Sequence, residues 1–323
     1  MSGSNIIVKA LALLMGMLVL MSAQAEIFQC PDAAGALQFQ NRPCAVVVQD
    51  EPDSGKHFLW QASVGKGTLY LLGSIHFGTA EMYPLPLVMT SMFKRSETLV
   101  VEADVLNVSP LEIAQLLASK AMYQDGTTLR QQLSEKTWQR LEQVAASLGM
   151  SVELLDMQKP WFVSMSLTAL ALKNLGFSEE KGIDIHFLSL ARGKKKIVEL
   201  EGLAWQLGLF EQLTPEEQVL MLEESLNEIE QGKDFFERML AFWRAGDGAG
   251  IQALFDEGML AEQASERLNQ LIMLGRNKSM TEKLVRMAEQ GGRYFVVVGA
   301  GHLPGDEGII ALLKQRGYQV SQL

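Results

Sequence analysis

Cysteine, histidine and concentrated positive charge are all scarce in this sequence. Its 323 residues include two Cys and four His, and 28 Lys and Arg stand against 38 Asp and Glu, which gives a formal net charge of −10. Nucleic-acid-binding proteins depend on a basic surface that displaces counterions from phosphates. The one dense basic run, residues 194–196 beside Arg192, is short enough to be a solvated turn. We therefore expect no nucleic-acid partner.

Several common catalytic signatures are also absent. The sequence has no Gly-x-Ser-x-Gly elbow, no Gly-x-x-x-x-Gly-Lys-Ser/Thr phosphate loop and no His-Glu-x-x-His motif. These absences argue against serine hydrolases of that type, P-loop nucleotide hydrolases and one large class of zinc proteases. The composition, 48% hydrophobic and 20% charged, is that of a globular protein and excludes disorder.

The amino terminus has the pattern of a secretory signal. Lys9 precedes an apolar run over residues 10–21, and Ala23-Gln24-Ala25 follows it. That run is shorter than the roughly 20 residues a membrane-spanning helix needs, and the small-x-small pattern suits signal peptidase. We expect a signal peptide over residues 1–25, a periplasmic or secreted protein, and no stable membrane span after cleavage; an uncleaved anchor is the alternative.

Both cysteines follow the expected cleavage site closely. Cys30 and Cys44 flank a stretch with turn residues at 32–35 and with Leu37 and Phe39 alternating with glutamines. In an exported chain such a pair indicates a disulfide, so residues 26–45 are predicted to form a small stapled hairpin. The stretch resembles the short cysteine-paired module that follows the signal peptide of many bacterial envelope proteins. Residues 46–57 are predicted to be a linker, and the main domain spans 58–323.

Two distant segments of the main domain share one pattern. Residues 67–76 (GTLYLLGSIH) and 293–302 (RYFVVVGAGH) are apolar, β-rich runs that end in Gly-x-x-His. Runs of this kind are typical of strands buried on both faces, and in such sheets ligands bind beyond the carboxyl ends of the strands. Two further runs, 98–104 and 196–201, end in acidic residues. The chain between 109 and 290 is mostly helical by pattern, which predicts an α/β fold with a helical insertion between two sheet-forming halves.

The positions of the four histidines indicate which of them are candidates for a functional site. His76 and His302 occupy matching places in the repeated motif, whereas His57 lies in the predicted linker and His186 in a predicted helix over 183–191. Two imidazoles and one carboxylate, for which Glu102 is the first choice, can hold a divalent metal with an open position for water. Such a metal would activate water for hydrolysis; without it, His and Glu could act as general base and orienting acid. A structural histidine pair and a helix-capping or ion-paired Glu102 are the alternatives.

Several segments together resemble the TraB/GumN family. They are residues 71–76, 101–102, 182–188, 199–201, 275–277 and 297–303. That family is related to the Tiki metalloproteases and, more distantly, to erythromycin esterase and a group of haem-binding lipoproteins. The likeness extends from Phe58 to the carboxyl terminus.

The resemblance implies a fold and a site. The fold would have paired mixed β-sheets, with the two Gly-x-x-His halves related by a pseudo-twofold axis and helices outside. The site would use His76, His302 and Glu102 as metal ligands, with Glu102 as ligand or general base. Arg276 would stabilise an oxyanion, and Asn277 would orient a ligand.

One position departs from the family pattern. Gly275 stands where the family often has Glu before the Arg-Asn pair, so any role of that acid is missing here. The Tiki branch implies a metal-dependent endopeptidase that prefers manganese or cobalt over zinc. We therefore expect a periplasmic metal-dependent hydrolase, a peptidase, that uses Mn, Co or Zn on a peptide or small-molecule substrate. A non-catalytic protein that binds peptide or a small ligand such as haem, and a metal-free His/Glu esterase, are the alternatives.

Overall fold

The computed structural model describes residues 28–31, 37–40, 55–231, 234–256 and 263–323. The predicted signal peptide, most of the predicted linker and Cys44, with the predicted disulfide, lie outside these residues. Strand β1 (Phe28–Pro31) pairs antiparallel with β2 (Leu37–Gln40), as a hairpin requires. In the described part of the chain no helix combines the length and the apolarity needed to cross a membrane.

The main domain is built on a mixed sheet of six strands. Their bounds are β3 (Leu59–Val64), β4 (Gly67–Ser74), β5 (Thr98–Val101), β6 (Lys196–Glu199), β7 (Gly292–Gly299) and β8 (Gln319–Gln322). The spatial order is β6-β5-β7-β4-β3-β8. The first four strands in this order are parallel, whereas β3 runs antiparallel to both β4 and β8. The carboxyl ends of β4, β5, β6 and β7 therefore lie at one edge of the sheet.

The mixed α/β class is confirmed, but the paired sheets implied by the resemblance are not. The described main-domain strands form one sheet, and the two Gly-x-x-His strands, β4 and β7, are adjacent parallel neighbours with Leu69 opposite Tyr294. Both runs are apolar on both faces, so each can pair directly with the other at the centre of a single covered sheet. The pseudo-twofold relation between the halves is likewise not confirmed.

Helices occupy most of the remaining described residues. The α-helices are α1 (Leu87–Arg95), α2 (Pro110–Lys120), α3 (Leu129–Gln132), α4 (Glu135–Ser147), α5 (Pro160–Asn174), α6 (Ile183–Ala191), α7 (Leu203–Phe210), α8 (Pro215–Gln231), α9 (Asp234–Arg244), α10 (Gly248–Asp256), α11 (Gln263–Asn269), α12 (Gly275–Glu289) and α13 (Ile309–Gln315). Residues 129–147 contain two helices, α3 and α4, because Ser134 caps the start of α4 with its side chain. A capping box precedes α8: the Glu217 N–H donates to Thr214 Oγ1 at 3.2 Å, and the Thr214 N–H donates to the Glu217 carboxylate at 2.8 Å.

Helices cover both faces of the sheet. Phe295 of β7 contacts Phe93 of α1 and Phe187 of α6, with ring centroids 5.5 Å and 4.7 Å apart. The preceding residue, Tyr294, donates its hydroxyl to the Met287 carbonyl of α12 at 3.0 Å. Successive residues of a strand point to opposite faces, so α1 and α6 lie on one side of the sheet and α12 on the other.

Candidate active site

Three predicted site residues meet at the carboxyl edge of the sheet. Glu102 follows β5 directly, and His302 ends the 3₁₀ turn after β7. The Nε2 atom of His302 lies 3.8 Å from Glu102 Oε1. His76 follows β4 and is close enough for its charge to lower the pKa of His302. The ends of the two distant motifs thus lie near each other at this edge of the sheet.

His76 is held by an acid that the sequence reasoning did not assign. Its Nδ1 atom lies 2.6 Å from Asp184 Oδ2, and the Ser74 hydroxyl donates to Asp184 Oδ1, also at 2.6 Å. His76 is 6% exposed. Burial lowers the pKa of His76, but the charge and hydrogen bond of Asp184 outweigh this, with a smaller contribution from Glu102, and the pKa is raised. For Asp184 burial raises the pKa, while its contacts with His76 and Ser74 bring it below its usual value.

His302 is held by a neutral amide. Its Nδ1 atom lies 2.6 Å from Asn277 Oδ1, and the amide nitrogen of Asn277 donates to the Glu307 carbonyl at 3.0 Å. Because the amide nitrogen is used in this way, Asn277 Oδ1 must accept, and His302 Nδ1 must carry the proton. His302 Nε2 therefore presents a lone pair, and it is buried with no hydrogen-bond partner among the described residues. Burial and the charge of Arg276 place the pKa of His302 well below 6.5.

Glu102 is fixed by three donors. Its Oε1 accepts the Gly299 N–H at 2.6 Å, while Oε2 accepts from Gln206 Nε2 at 2.9 Å and from Arg276 Nη2. The residue is 5% exposed. Oε1 therefore retains one lone pair, on the oxygen that lies nearer His302.

Arg276 joins two buried carboxylates. Its Nε and Nη2 donate to Glu201 at 2.9 Å and 2.7 Å, Nη2 also donates to Glu102, and Nη1 donates to the Ile272 carbonyl at 3.2 Å. Four of its five N–H protons are thus committed, and one Nη1 proton remains for another acceptor. Burial lowers the pKa of Arg276, but the charges of Glu102 and Glu201 outweigh it and raise the pKa. The predicted oxyanion role of Arg276 stays a prediction.

An irregular turn of helix delivers Arg276 and Asn277 to the site. Residues Gln270–Leu274 form a π-helical turn between α11 and α12. A Cβ atom on Gly275 would lie only 2.9 Å from the Gln270 carbonyl oxygen. Single π turns often occur at functional sites because they rotate the following side chains relative to the preceding helix. Gly275, which departs from the family pattern, therefore stands at a position of this turn where a side chain would crowd the Gln270 carbonyl oxygen.

The donor set suits a cation in chemistry and charge. The available atoms are Nε2 of His76 and His302 and the remaining lone pair of Glu102. The carboxylates of Glu102, Glu201 and the half-buried Asp184 exceed the single guanidinium of Arg276 by two charges when both imidazoles are neutral. Within the residues that the structure describes, however, no group of three His, Cys, Asp or Glu side chains is already arranged to enclose a metal ion.

The site contains residues that sequence reasoning missed. Asp184 and Glu201 lie in segments that resembled the family, 182–188 and 199–201, so the resemblance carried a signal for both. Gln206 gave no signal: it lies on the inner face of α7, where its amide donates to Glu102 and to Glu201 at 2.8 Å. A glutamine at an inward helical position cannot be distinguished by pattern from one that faces solvent.

The remaining two histidines, His186 and His57, occupy other positions in the fold. His186 is half-buried on α6, with its ring centroid 5.2 Å from that of Tyr83, and burial lowers its pKa. His57, assigned to the linker, is buried, and its backbone N–H donates to the Leu323 carbonyl at 2.7 Å. His57 therefore belongs to the folded domain and ties its first strand to the carboxyl terminus.

Comparison of the sequence with known proteins shows which protein family it matches. A model of the TraB/PrgY/gumN family matches residues 58–322, the whole of the six-stranded sheet. The uncharacterized protein YbaP of Escherichia coli (strain K12) is 31% identical over 265 residues, 80% of this chain and 94% of YbaP. An uncharacterized protein of Treponema pallidum (strain Nichols) is 22% identical over 273 residues, 81% of each chain. No solved structure matches significantly.

Proposed function

The chain belongs to the TraB/PrgY/gumN family, and on that premise we propose that it is a periplasmic metal-dependent hydrolase that cleaves peptides. The observation that carries the proposal is the pair of anchored imidazoles. His76 and His302 each engage an oxygen through Nδ1, at 2.6 Å in both cases, which leaves Nε2 as the ligating atom. Metal-binding histidines almost always have their other ring nitrogen anchored in this way. The apolar segment before Ala25 supports export.

The same residues define what a metal would do here. His76 and His302 would supply two nitrogens, and Glu102 Oε1 would supply an oxygen, a set that suits manganese, cobalt or zinc. A bound divalent cation would lower the pKa of a coordinated water and polarise a substrate carbonyl. Arg276 holds Glu102 in place, and its remaining Nη1 proton is available to a developing oxyanion. The buried setting excludes bulk water and strengthens each of these interactions.

The first experiment is metal analysis of the mature protein, purified without chelating resin. Three forms are compared: wild type, the His76→Ala/His302→Ala double variant, and His186→Ala as a control that removes a histidine outside the pair. The proposal predicts near-stoichiometric metal in wild type and His186→Ala and none in the double variant. Equal metal in all three forms, or none in wild type after incubation with manganese, cobalt and zinc, would contradict it.

Activity is the second part of the test. Each form is incubated with a peptide library in the presence of each metal, and products are identified by mass spectrometry. New peptide termini should appear with the wild type and with His186→Ala, and should disappear on chelation. A ligand that remains bound after chelation, with no turnover, would favour the non-catalytic binding protein instead.

One observation favours a second candidate, hydrolysis without metal. Glu102 already accepts three hydrogen bonds, whereas His302 has a free Nε2 lone pair and a pKa held well below 6.5 by burial and Arg276. A neutral imidazole with an unshared Nε2 can act as a general base on water. This candidate predicts hydrolysis that survives exhaustive chelation and is lost in His302→Ala.

A further inference from the structure

We propose that Asp184 is the positioning residue for His76, and that it fixes the Nε2 lone pair of this imidazole toward the reaction site. This role rests on the proposed function for its consequence, but its structural basis is independent of any metal. Asp184 was not among the site residues predicted from sequence. It would make the two histidines unequal, one held by an anion and the other by a neutral amide.

The carboxylate of Asp184 is constrained at both oxygens. Oδ1 accepts the Ser74 hydroxyl and Oδ2 contacts His76 Nδ1, each at 2.6 Å. A carboxylate with both oxygens engaged cannot rotate without breaking a bond. Because an ionised carboxylate only accepts, Nδ1 must carry the proton, and Nε2 of the neutral ring is left with its lone pair.

The backbone delivers Asp184 to this position. Gly78 and Ser178 exchange two backbone hydrogen bonds, with the Gly78 N–H donating at 3.0 Å and the Ser178 N–H donating at 2.9 Å. The Ile183 N–H then donates to the Ile75 carbonyl at 3.0 Å. The chain just after His76 is thereby joined to the chain just before Asp184. A side chain held through this many local contacts is suited to fix the orientation of another.

Close packing at one glycine brings the two segments this near. A Cβ atom on Gly182 would lie 2.2 Å from the His76 carbonyl oxygen, so only glycine permits the approach. Asp184 follows two residues later, in the first turn of α6. Two residues on one short segment therefore contact His76: the backbone of Gly182 packs against its carbonyl oxygen, and the side chain of Asp184 contacts its imidazole.

The direct test is the tautomer of His76, read from two-bond ¹⁵N–¹H correlations in protein labelled at histidine. Spectra are recorded well above the pKa of His76, where the ring is neutral, and His76→Ala identifies its signals. Wild type should show the proton on Nδ1. Asp184→Ala should shift it to Nε2, whereas Asp184→Asn should keep it on Nδ1, as Asn277 does for His302. Ser189→Ala, an exposed position on the same helix, is the matched control.

Metal affinity gives the second readout. Manganese or zinc should bind Asp184→Ala about 10- to 100-fold more weakly than wild type, as is usual when an orienting partner is lost, and Asp184→Asn should recover most of that loss. Should Asp184→Ala fail to fold, Asp184→Leu keeps a similar volume without an acceptor and takes its place.

The outcomes separate the two proposals. An unchanged Nδ1–H signal in the variant without an acceptor would overturn the positioning role, whatever the metal does. A shifted tautomer in a protein whose wild type binds no metal would support the positioning role and contradict the proposed function alone.

Discussion

Removing the guanidinium of Arg276 should destabilise the fold far more than removing any surface arginine. Arg276 is 1% exposed and lies between Glu102 and Glu201, whose side chains are 6% and 1% exposed. An Arg276→Met substitution keeps most of the volume but leaves two buried carboxylates without their partner. Breaking a buried ion pair in this way costs about 3–5 kcal/mol, because the remaining charge is desolvated and uncompensated.

The size of this effect can be set against the stability of a whole domain. The free energy of unfolding of a domain is about 5–15 kcal/mol, so the substitution would remove a large part of that stability. At about 2–4 °C per kcal/mol for a domain of this size, the melting temperature should fall by about 6–20 °C.

Arg286→Met provides the matched control, since it lies on the same helix. Arg286 is 62% exposed and pairs with Glu282 at 4.0 Å, an exposed pair worth about 0.3–0.5 kcal/mol. Urea denaturation compares both variants with wild type. The triple variant Arg276→Met/Glu102→Gln/Glu201→Gln should regain most of the lost stability. If Arg276→Met costs no more than Arg286→Met, the buried ion pair does not have the energetic role assigned to it.

Three further substitutions test the surroundings of the site. The Trp243 indole N–H donates to the Gly73 carbonyl at 2.6 Å, so Trp243→Phe should cost about 1–3 kcal/mol in chemical denaturation; an unchanged midpoint would mean that another donor replaces it. Gly182→Ala should cost about 1–3 kcal/mol and weaken metal binding, because its Cβ would meet the His76 carbonyl; calorimetry that gives wild-type affinity would contradict this. The folded pKa of His302 lies well below 6.5, so the unfolded chain takes up a proton first and wild-type stability should fall as the pH drops below 6.5. His302→Ala should lose less stability over that interval, and parallel losses would show that His302 is not the group concerned.

The strand ends were predictable because their signal is local. His76, Glu102 and His302 each follow an apolar run by one to three residues, and parallel strands bring such positions to one edge whatever lies between them. Their convergence therefore followed from the class of fold. Which strands are neighbours did not follow, because apolar pattern alone does not set strand order. The resemblance suggested paired sheets, whereas the described strands of the main domain form one sheet.

The anchoring residues were not predictable in the same way. Asp184, Gln206 and Asn277 lie on three different helices, and the direction of a helical side chain depends on how that helix packs against the sheet. The π-helical turn before Arg276 also rotates the side chains that follow it, and the hydrophobic periodicity of residues 263–289 does not predict this rotation. Asn277 was found through the resemblance. Gln206 is recognised only from its hydrogen bonds in the folded protein, one to Glu102, which is distant in sequence, and one to Glu201, which lies in the loop before α7.

The charges of the site imply that metal binding and proton binding compete. Glu102, Glu201 and Asp184 carry three negative charges against one positive charge on Arg276. Burial lowers the pKa of His76, but Asp184 outweighs this and raises it, so a proton on this imidazole would offset part of the excess negative charge. A cation on His76 Nε2 would occupy the atom that holds that proton. Metal binding should therefore release a proton below the raised pKa, and affinity should fall as the pH falls. Titration calorimetry in buffers of different ionisation enthalpy measures this release, and binding without it would place the cation away from His76.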